Sequence, residues 1–159
     1  MDCHLTHEVF NKDSIHKLSD KHRSQIIFLD QTLEDQRWSG KVWKETWEDF
    51  GYFFLQTTCL EGDVIAFGLW TFPPTEDVMH LLKIVVQNLH RGAGLAAKLF
   101  EQMLEAYPQK GVYLEVKSSN TVAVGFYQKQ GLRIMTKTRN YYGPGQDAYK
   151  MFKAALPNA

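Results

Sequence analysis

Three polar side chains downstream of the chain's midpoint could between them carry out an acyl transfer to an amine. Glu115 closes the apolar run Val112 to Leu114. At the rim of a cleft, a carboxylate so placed could take a proton from an amine, directly or through water. The same glutamate could equally be an exposed strand end. Asn120 stands where a helix N-cap is expected. Tyr127 follows seven residues later, two helical turns on and therefore on the same helix face. Its phenol could protonate a departing thiolate, or its ring could simply fill the core. Upstream, Gly92 and Gly94 separate a β-branched stretch from an amphipathic one. A tight strand-to-helix turn there aims unpaired amides and the positive helix end outward, a natural seat for a pyrophosphate. Glycines that merely make the turn would look the same. Two nucleotide motifs do not fit. Leu95 and Ala96 follow Gly94 where a P-loop needs Lys and Ser or Thr, and Arg91 occupies the first glycine position of a dinucleotide fingerprint.

The elements that must position these groups are legible from periodicity. Ile15, Leu18, His22, Ile26 and Leu29 recur at helical spacing, so a helix is expected over Ser14 to Thr32, with Asp13 and Ser14 as caps. A second short helix follows Ser39. Tyr52 to Cys59 and Val64 to Trp70 read as strands joined by a hairpin at Glu61-Gly62-Asp63. Val78 to Val86 is strand-like, Leu95 to Tyr107 helical, Gly111 to Val116 a strand, and Asn120 to Gln130 a helix ended by Gly131. Leu132 to Thr138 and Ala148 to Leu156 close the order as strands. The class is α/β with a mixed sheet, antiparallel at the start and containing a central strand, helix, strand unit. That unit should be a right-handed parallel crossover.

The 159 residues suit one domain, residues 1–159, with a single active site. Lys plus Arg and Asp plus Glu number 18 each, so no overall field draws the chain to nucleic acid or to an anionic membrane, though a local patch is allowed. Apolar runs fall far short of the ~20 residues that span a bilayer. The N-terminus lacks a basic stretch followed by an apolar run, which points to a cytoplasmic protein. Cys3 and Cys59 have neither metal-ligand nor redox spacing, and the six histidines form no zinc signature, so no metal is expected. A nucleophilic role for Cys59 has no evident activating partner.

The segment Arg91-Gly92-Ala93-Gly94-Leu95-Ala96 matches the acetyl-CoA signature of GNAT N-acetyltransferases, Gln/Arg-x-x-Gly-x-Gly/Ala. Leu114-Glu115-Val116-Lys117-Ser118-Ser119-Asn120, Phe126-Tyr127, Arg139-Asn140-Tyr141-Tyr142 and Asp147-Ala148-Tyr149-x-Met151 follow in order. Together they resemble the bacterial ribosomal-protein-alanine N-acetyltransferases, the RimI family, best from Leu82 to Met151. Arg37-Trp38-Ser39 is similar to that family's Pro-Trp-Ser. The resemblance implies a GNAT fold, a central mixed β-sheet flanked by helices. It implies acetyl-CoA held by Ile84, Val85, Val86, Arg91, Gly92, Ala93, Gly94, Leu95, Ala96 and Ala97, largely through main chain, with Asn120 also in contact. Glu115 becomes the general base and Tyr127 the general acid, while Tyr141, Tyr142 and Trp38 bind the acceptor. The acceptor implied is a protein N-terminus, that of an alanine-starting ribosomal protein, and no covalent enzyme intermediate is needed. Gln87-Asn88-Leu89-His90 departs from the family's Asp-Pro-x-Tyr-like stretch, and Leu132 from its usual Phe, which leaves the acceptor open. A small amine or aminoglycoside is the alternative acceptor, and an acetyl-CoA-binding module without catalysis the alternative class. Neutral charge and scattered aromatics permit a monomer or a weak homodimer.

Overall fold

Local capping decides where the first helices begin. The computed structural model describes residues 4–33 and 36–157. Ser19 Oγ accepts the His22 amide at 3.1 Å and Ser39 Oγ the Val42 amide at 3.3 Å, starting α1 (Asp20–Gln31) and α2 (Gly40–Glu48). The helix expected from Ser14 is therefore corrected. Ile15–Lys17 is a single 3-10 turn, Ser14 Oγ accepts from the Asn11 amide instead, and Leu18 is extended. Ile15, Leu18, Ile26 and Leu29 are nevertheless all buried, because two elements share the apolar stripe that looked like one.

The chain divides into two compact units, Met1–Thr71 with Lys83–Leu99, and Phe72–Leu82 with Phe100–Ala159. In the first unit, β2 (Phe53–Leu60) and β3 (Asp63–Thr71) pair antiparallel around Glu61 and Gly62, whose φ angles of 51° and 84° suit a two-residue hairpin turn. A strand the sequence did not suggest, β1 (Leu5–Phe10), pairs antiparallel with β2 from Leu5↔Leu60 to Phe10↔Leu55. Trp43, Trp70, Phe67, Ile26, Leu55 and Leu69 are fully buried here. Burial of each contributes on the order of 2 kcal/mol. One polar group is built into this core. Gln56 accepts the Trp70 indole N–H at 2.7 Å and donates to the Leu99 carbonyl at 2.8 Å. Its partner across the strands is Gly68, where a Cβ would stand 2.7 Å from Gln56 Oε1.

β4 (Val78–Val86) and α3 (Leu95–Ala106) each run from one unit into the other. In the second unit, β4 pairs parallel with β5 (Gly111–Lys117) over Val78↔Gly111, Met79↔Val112 and His80↔Tyr113. The parallel strand, helix, strand unit is thus present. β5 pairs antiparallel with β7 (Ala148–Lys153), and β7 with β6 (Arg133–Thr138). α4 (Thr121–Lys129) is capped by Asn120 and closed by Gly131 at φ 97°. Along β5, Val112, Leu114 and Val116 are buried while Tyr113, Glu115 and Lys117 are half-buried. The period of two therefore puts the functional candidates on one side of the strand. The sheet has seven strands in the order β1-β2-β3-β4-β5-β7-β6. Among the described residues no helix is long and apolar enough to cross a membrane.

Candidate active site

The glycine turn belongs to the first unit. β4 ends at Val86, the Gln87 amide donates to the Ile65 carbonyl at 2.8 Å, and Arg91 Nε returns to the Val86 carbonyl at 3.2 Å. Gly92 and Gly94 follow with φ of 82° and 77°, where a side chain is strained. The first bond of α3 runs from the Lys98 amide to the Gly94 carbonyl at 3.0 Å, so the amides of Leu95, Ala96 and Ala97 have no carbonyl one turn back within the helix. A Cβ placed on Gly92 or Gly94 would meet nothing within 4 Å, so the space over the turn is open. Free amides, a positive helix end and open space fit a pyrophosphate. Ile84 and Val86 pack against Ile65, Ala66, Leu95 and Leu99, fixing the strand end to the helix start.

Trp38 lies in the same unit, around a buried charge. Asp30 Oδ2 accepts the Trp38 amide at 2.8 Å and the Trp43 indole N–H at 2.7 Å. Its Oδ1 is 2.6 Å from the Lys83 ammonium, which donates to the Gln36 carbonyl at 2.6 Å and lies 4.8 Å from the Trp38 ring centroid. Burial pushes the Lys83 ammonium down from its ordinary pKa, and the Asp30 carboxylate opposes that shift. The pair ties the α1–α2 connection to β4. Replacing Asp30 by Ala strands a buried cation, so unfolding free energy from urea denaturation should fall by about 3–5 kcal/mol. Adding Lys83→Met should recover most of that loss.

In the second unit, Glu115 is paired with a residue that sequence reasoning missed. His80 Nε2 lies 2.6 Å from Glu115 Oε2, with the two side chains 20% and 21% exposed. The imidazole stacks on Tyr113, centroids 4.2 Å apart and planes 14° from parallel. The hydrogen bond from His80 chiefly holds the Glu115 carboxyl below its ordinary range, against the opposing effect of burial, with the Lys150 charge assisting. A carboxylate bridged to an imidazole can accept a proton while the negative oxygen stabilises the resulting imidazolium.

Tyr127 is buried on α4, and that burial pushes its phenol far above the usual tyrosine range, with Tyr142 adding to the effect. Tyr142 is pushed up to about 12 by burial, then by Tyr141 and Glu115. Tyr141 is raised by burial and then by Glu115. Glu115 thus acts on Tyr141 and Tyr142, and Tyr142 in turn acts on Tyr127. The two loop tyrosines meet edge to face at 4.8 Å. Their loop is clasped at its base, where the Asn140 amide donates to Asp147 Oδ1 at 3.0 Å and Asn140 Oδ1 accepts the Gly145 amide at 2.7 Å. Asn120 Oδ1 accepts the Ala123 amide at 3.1 Å, so its capping role is seen directly.

Residues 15–132 match the family model described as the acetyltransferase (GNAT) family. The chain belongs to that family. As an acetyltransferase it is 33% identical, over 80% of its length and 84% of the relative's, to an N-alpha-acetyltransferase of Saccharolobus solfataricus. A ribosomal-protein alanine N-acetyltransferase from Escherichia coli shares its fold with a TM-score of 0.76 at 21% identity, covering 98% of this chain and 99% of that one. An aminoglycoside 6′-N-acetyltransferase solved with coenzyme A has the same TM-score, 0.76, at 14% identity, over 97% and 99% of the two chains. Backbone likeness therefore does not choose the acceptor.

Proposed function

We propose that this acetyltransferase moves the acetyl group of acetyl-CoA to the N-terminal α-amine of a protein. The observation that carries this is the His80–Glu115 pair, whose carboxylate acts on the Tyr141-Tyr142 loop. An α-amine has a reference pKa of about 7.7–8.0. It needs only a modest base, and the Glu115 carboxylate with the His80 imidazole 2.6 Å from it offers one. Similarity to an N-alpha-acetyltransferase supports the choice of amine.

Acetyl-CoA supplies an activated acetyl thioester. The amides of Gly92 to Ala97, with Arg91, hold its pyrophosphate, the main chain of Ile84, Val85 and Val86 runs beside it, and Asn120 lends its side-chain amide. The pair of His80 and Glu115 takes the amine's proton, Glu115 staying ionised throughout. Tyr127 delivers a proton to the leaving sulfur. Tyr141, Tyr142 and Trp38 hold the acceptor, for which the alanine-starting end of a ribosomal protein is the specific candidate.

A polycationic small amine suits this site poorly. The unit that holds it carries eight Lys and Arg against six Asp and Glu, with no excess of acid to draw a polycation. The test incubates the purified protein with acetyl-CoA and Ala-, Ser- or Met-starting peptides, the ribosomal N-terminal peptide, spermidine or an aminoglycoside, and follows CoA release. Peptides should exceed the small amines by about tenfold or more in kcat/KM. Faster turnover on a small amine overturns the proposal.

A further inference from the structure

The second unit holds a cavity of about 430 Å³ that none of the assigned roles uses, lined by Glu76, Val78, Tyr113, Met135, Lys150 and Phe152. It is large enough for on the order of ten water molecules, well beyond what a methyl side chain would fill. Its walls are aliphatic and aromatic, with one ammonium among them. Lys150 is exposed, is the cross-strand partner of Glu115, and holds its Nζ 4.8 Å from the Tyr113 ring centroid. Glu76, the one acid in the lining, belongs to a segment that Lys110 also reaches, with its Nζ 3.5 Å from the Glu76 carbonyl.

Two features tie this cavity to the acceptor. Tyr113 is a wall of it and is also the ring on which the His80 imidazole stacks. Tyr113 and Glu115 are alternate residues of β5 and so lie about 6.6 Å apart on the same side. An acceptor whose α-amine sits at His80 and Glu115 reaches the cavity within one to three extended residues, at about 3.3–3.6 Å each. The second feature is charge. The sequence before Lys110 carries ten Lys and Arg against sixteen acids, whereas the stretch that builds β5, β6 and β7 carries eight against two. The neutral total conceals a basic final third, although the whole unit that holds the cavity, with Glu76, Asp77, Glu101 and Glu105 included, carries eight against six.

Building on the N-terminal acceptor reading, we propose that this cavity receives an acidic side chain from the second to fourth residue of the acceptor, paired with Lys150. Preferred acceptors are then protein N-termini with Asp or Glu just behind the acetylated residue. An open, aromatic-walled cavity with a single ammonium suits one carboxylate better than the regularly spaced phosphates of a nucleic acid, which call for a row of cations.

The test uses peptides identical at the first residue and carrying Asp/Glu, Asn/Gln or Lys at residues two to four. Wild-type kcat/KM should fall in that order, with acidic over neutral by roughly fivefold at low salt. The margin should narrow as ionic strength shortens the screening length. Lys150→Gln should erase the preference and Lys150→Glu should invert it, and the exposed position of Lys150 makes both variants compatible with folding. Equal turnover of acidic and neutral peptides overturns this inference while leaving the N-terminal acceptor standing. An acid preference that survives in Lys150→Glu also overturns it. Turnover of small amines with none of any peptide overturns both. Competition by an RNA oligonucleotide without acid preference would assign the basic surface to nucleic acid instead.

Discussion

Glu115→Gln should lower kcat/KM for a peptide acceptor about 10²-fold while leaving the Kd for acetyl-CoA unchanged. The amide keeps the shape of the carboxylate and can still accept a hydrogen bond from His80 Nε2, but it cannot balance an imidazolium. What is lost is the charge that makes proton uptake by the pair favourable, not the position of the ring. His80→Gln should cost a comparable factor, and the double variant should be little worse than either single one, because the two residues act as a unit. Multiplying losses would mean that each works alone, contrary to the 2.6 Å contact between them. The pH profile gives a second reading. His80's hydrogen bond keeps Glu115 below the ordinary carboxylate range, so the carboxylate is already ionised wherever an acceptor amine is appreciably deprotonated. The acid limb of wild-type kcat/KM should therefore not follow a carboxylate. An acid limb in or below the ordinary carboxylate range that disappears in Glu115→Gln would show Glu115 to be the titrating base by itself.

That pairing marks where sequence stops being informative. Val78 to Val86 and Gly111 to Val116 were legible as strands, because β-branched and aliphatic residues cluster between turn signals. Glu115 was conspicuous as the acid of its strand, and Asn120 and Tyr127 were tied by helical spacing. His80 is likewise a lone imidazole among Val78, Leu82, Ile84 and Val86 on its side of β4. Nothing in one strand's sequence shows which residue of a parallel neighbour it will face, and the His80↔Tyr113 register supplies that. Lys83 is a similar case. A lysine in a strand reads as exposed, yet a helical aspartate 53 positions earlier in the sequence neutralises it in the core. The error at α1 has a local cause. The apolar stripe from Ile15 to Leu29 is continuous in sequence, but Ser19 captures the His22 amide and restarts the helix. β1 escaped notice because most of it is exposed and shows no clean alternation. The basic final third of the sequence was hidden by averaging over the chain.

Tyr127→Phe should reduce single-turnover acetyl transfer by about 10²-fold, again with acetyl-CoA affinity nearly intact. The change removes only a hydroxyl from a side chain that is 9% exposed, so the helix packing around it is preserved. A structural role would show as a lowered unfolding midpoint rather than as a lowered rate. The direction of the phenol's shift bears on the chemistry. Burial raises its pKa, so the proton-bearing form persists through the whole range in which the amine is nucleophilic. Wild-type activity should show no alkaline limb from Tyr127 below about pH 10, the ordinary tyrosine value. Tyr142→Phe is the matched control, since Tyr142 shares the environment and is itself pushed up to about 12. It should raise the KM for peptide more than it lowers the rate of transfer, as expected of a group that holds the acceptor. The sharper discrimination comes from the leaving group. If Tyr127 protonates the departing sulfur, an acetyl thioester of a more acidic thiol needs that proton less and should restore much of the rate in Tyr127→Phe while barely changing Glu115→Gln. Equal rescue of both variants would place the proton from Tyr127 elsewhere in the reaction, and no rescue of either would make its hydroxyl a packing group.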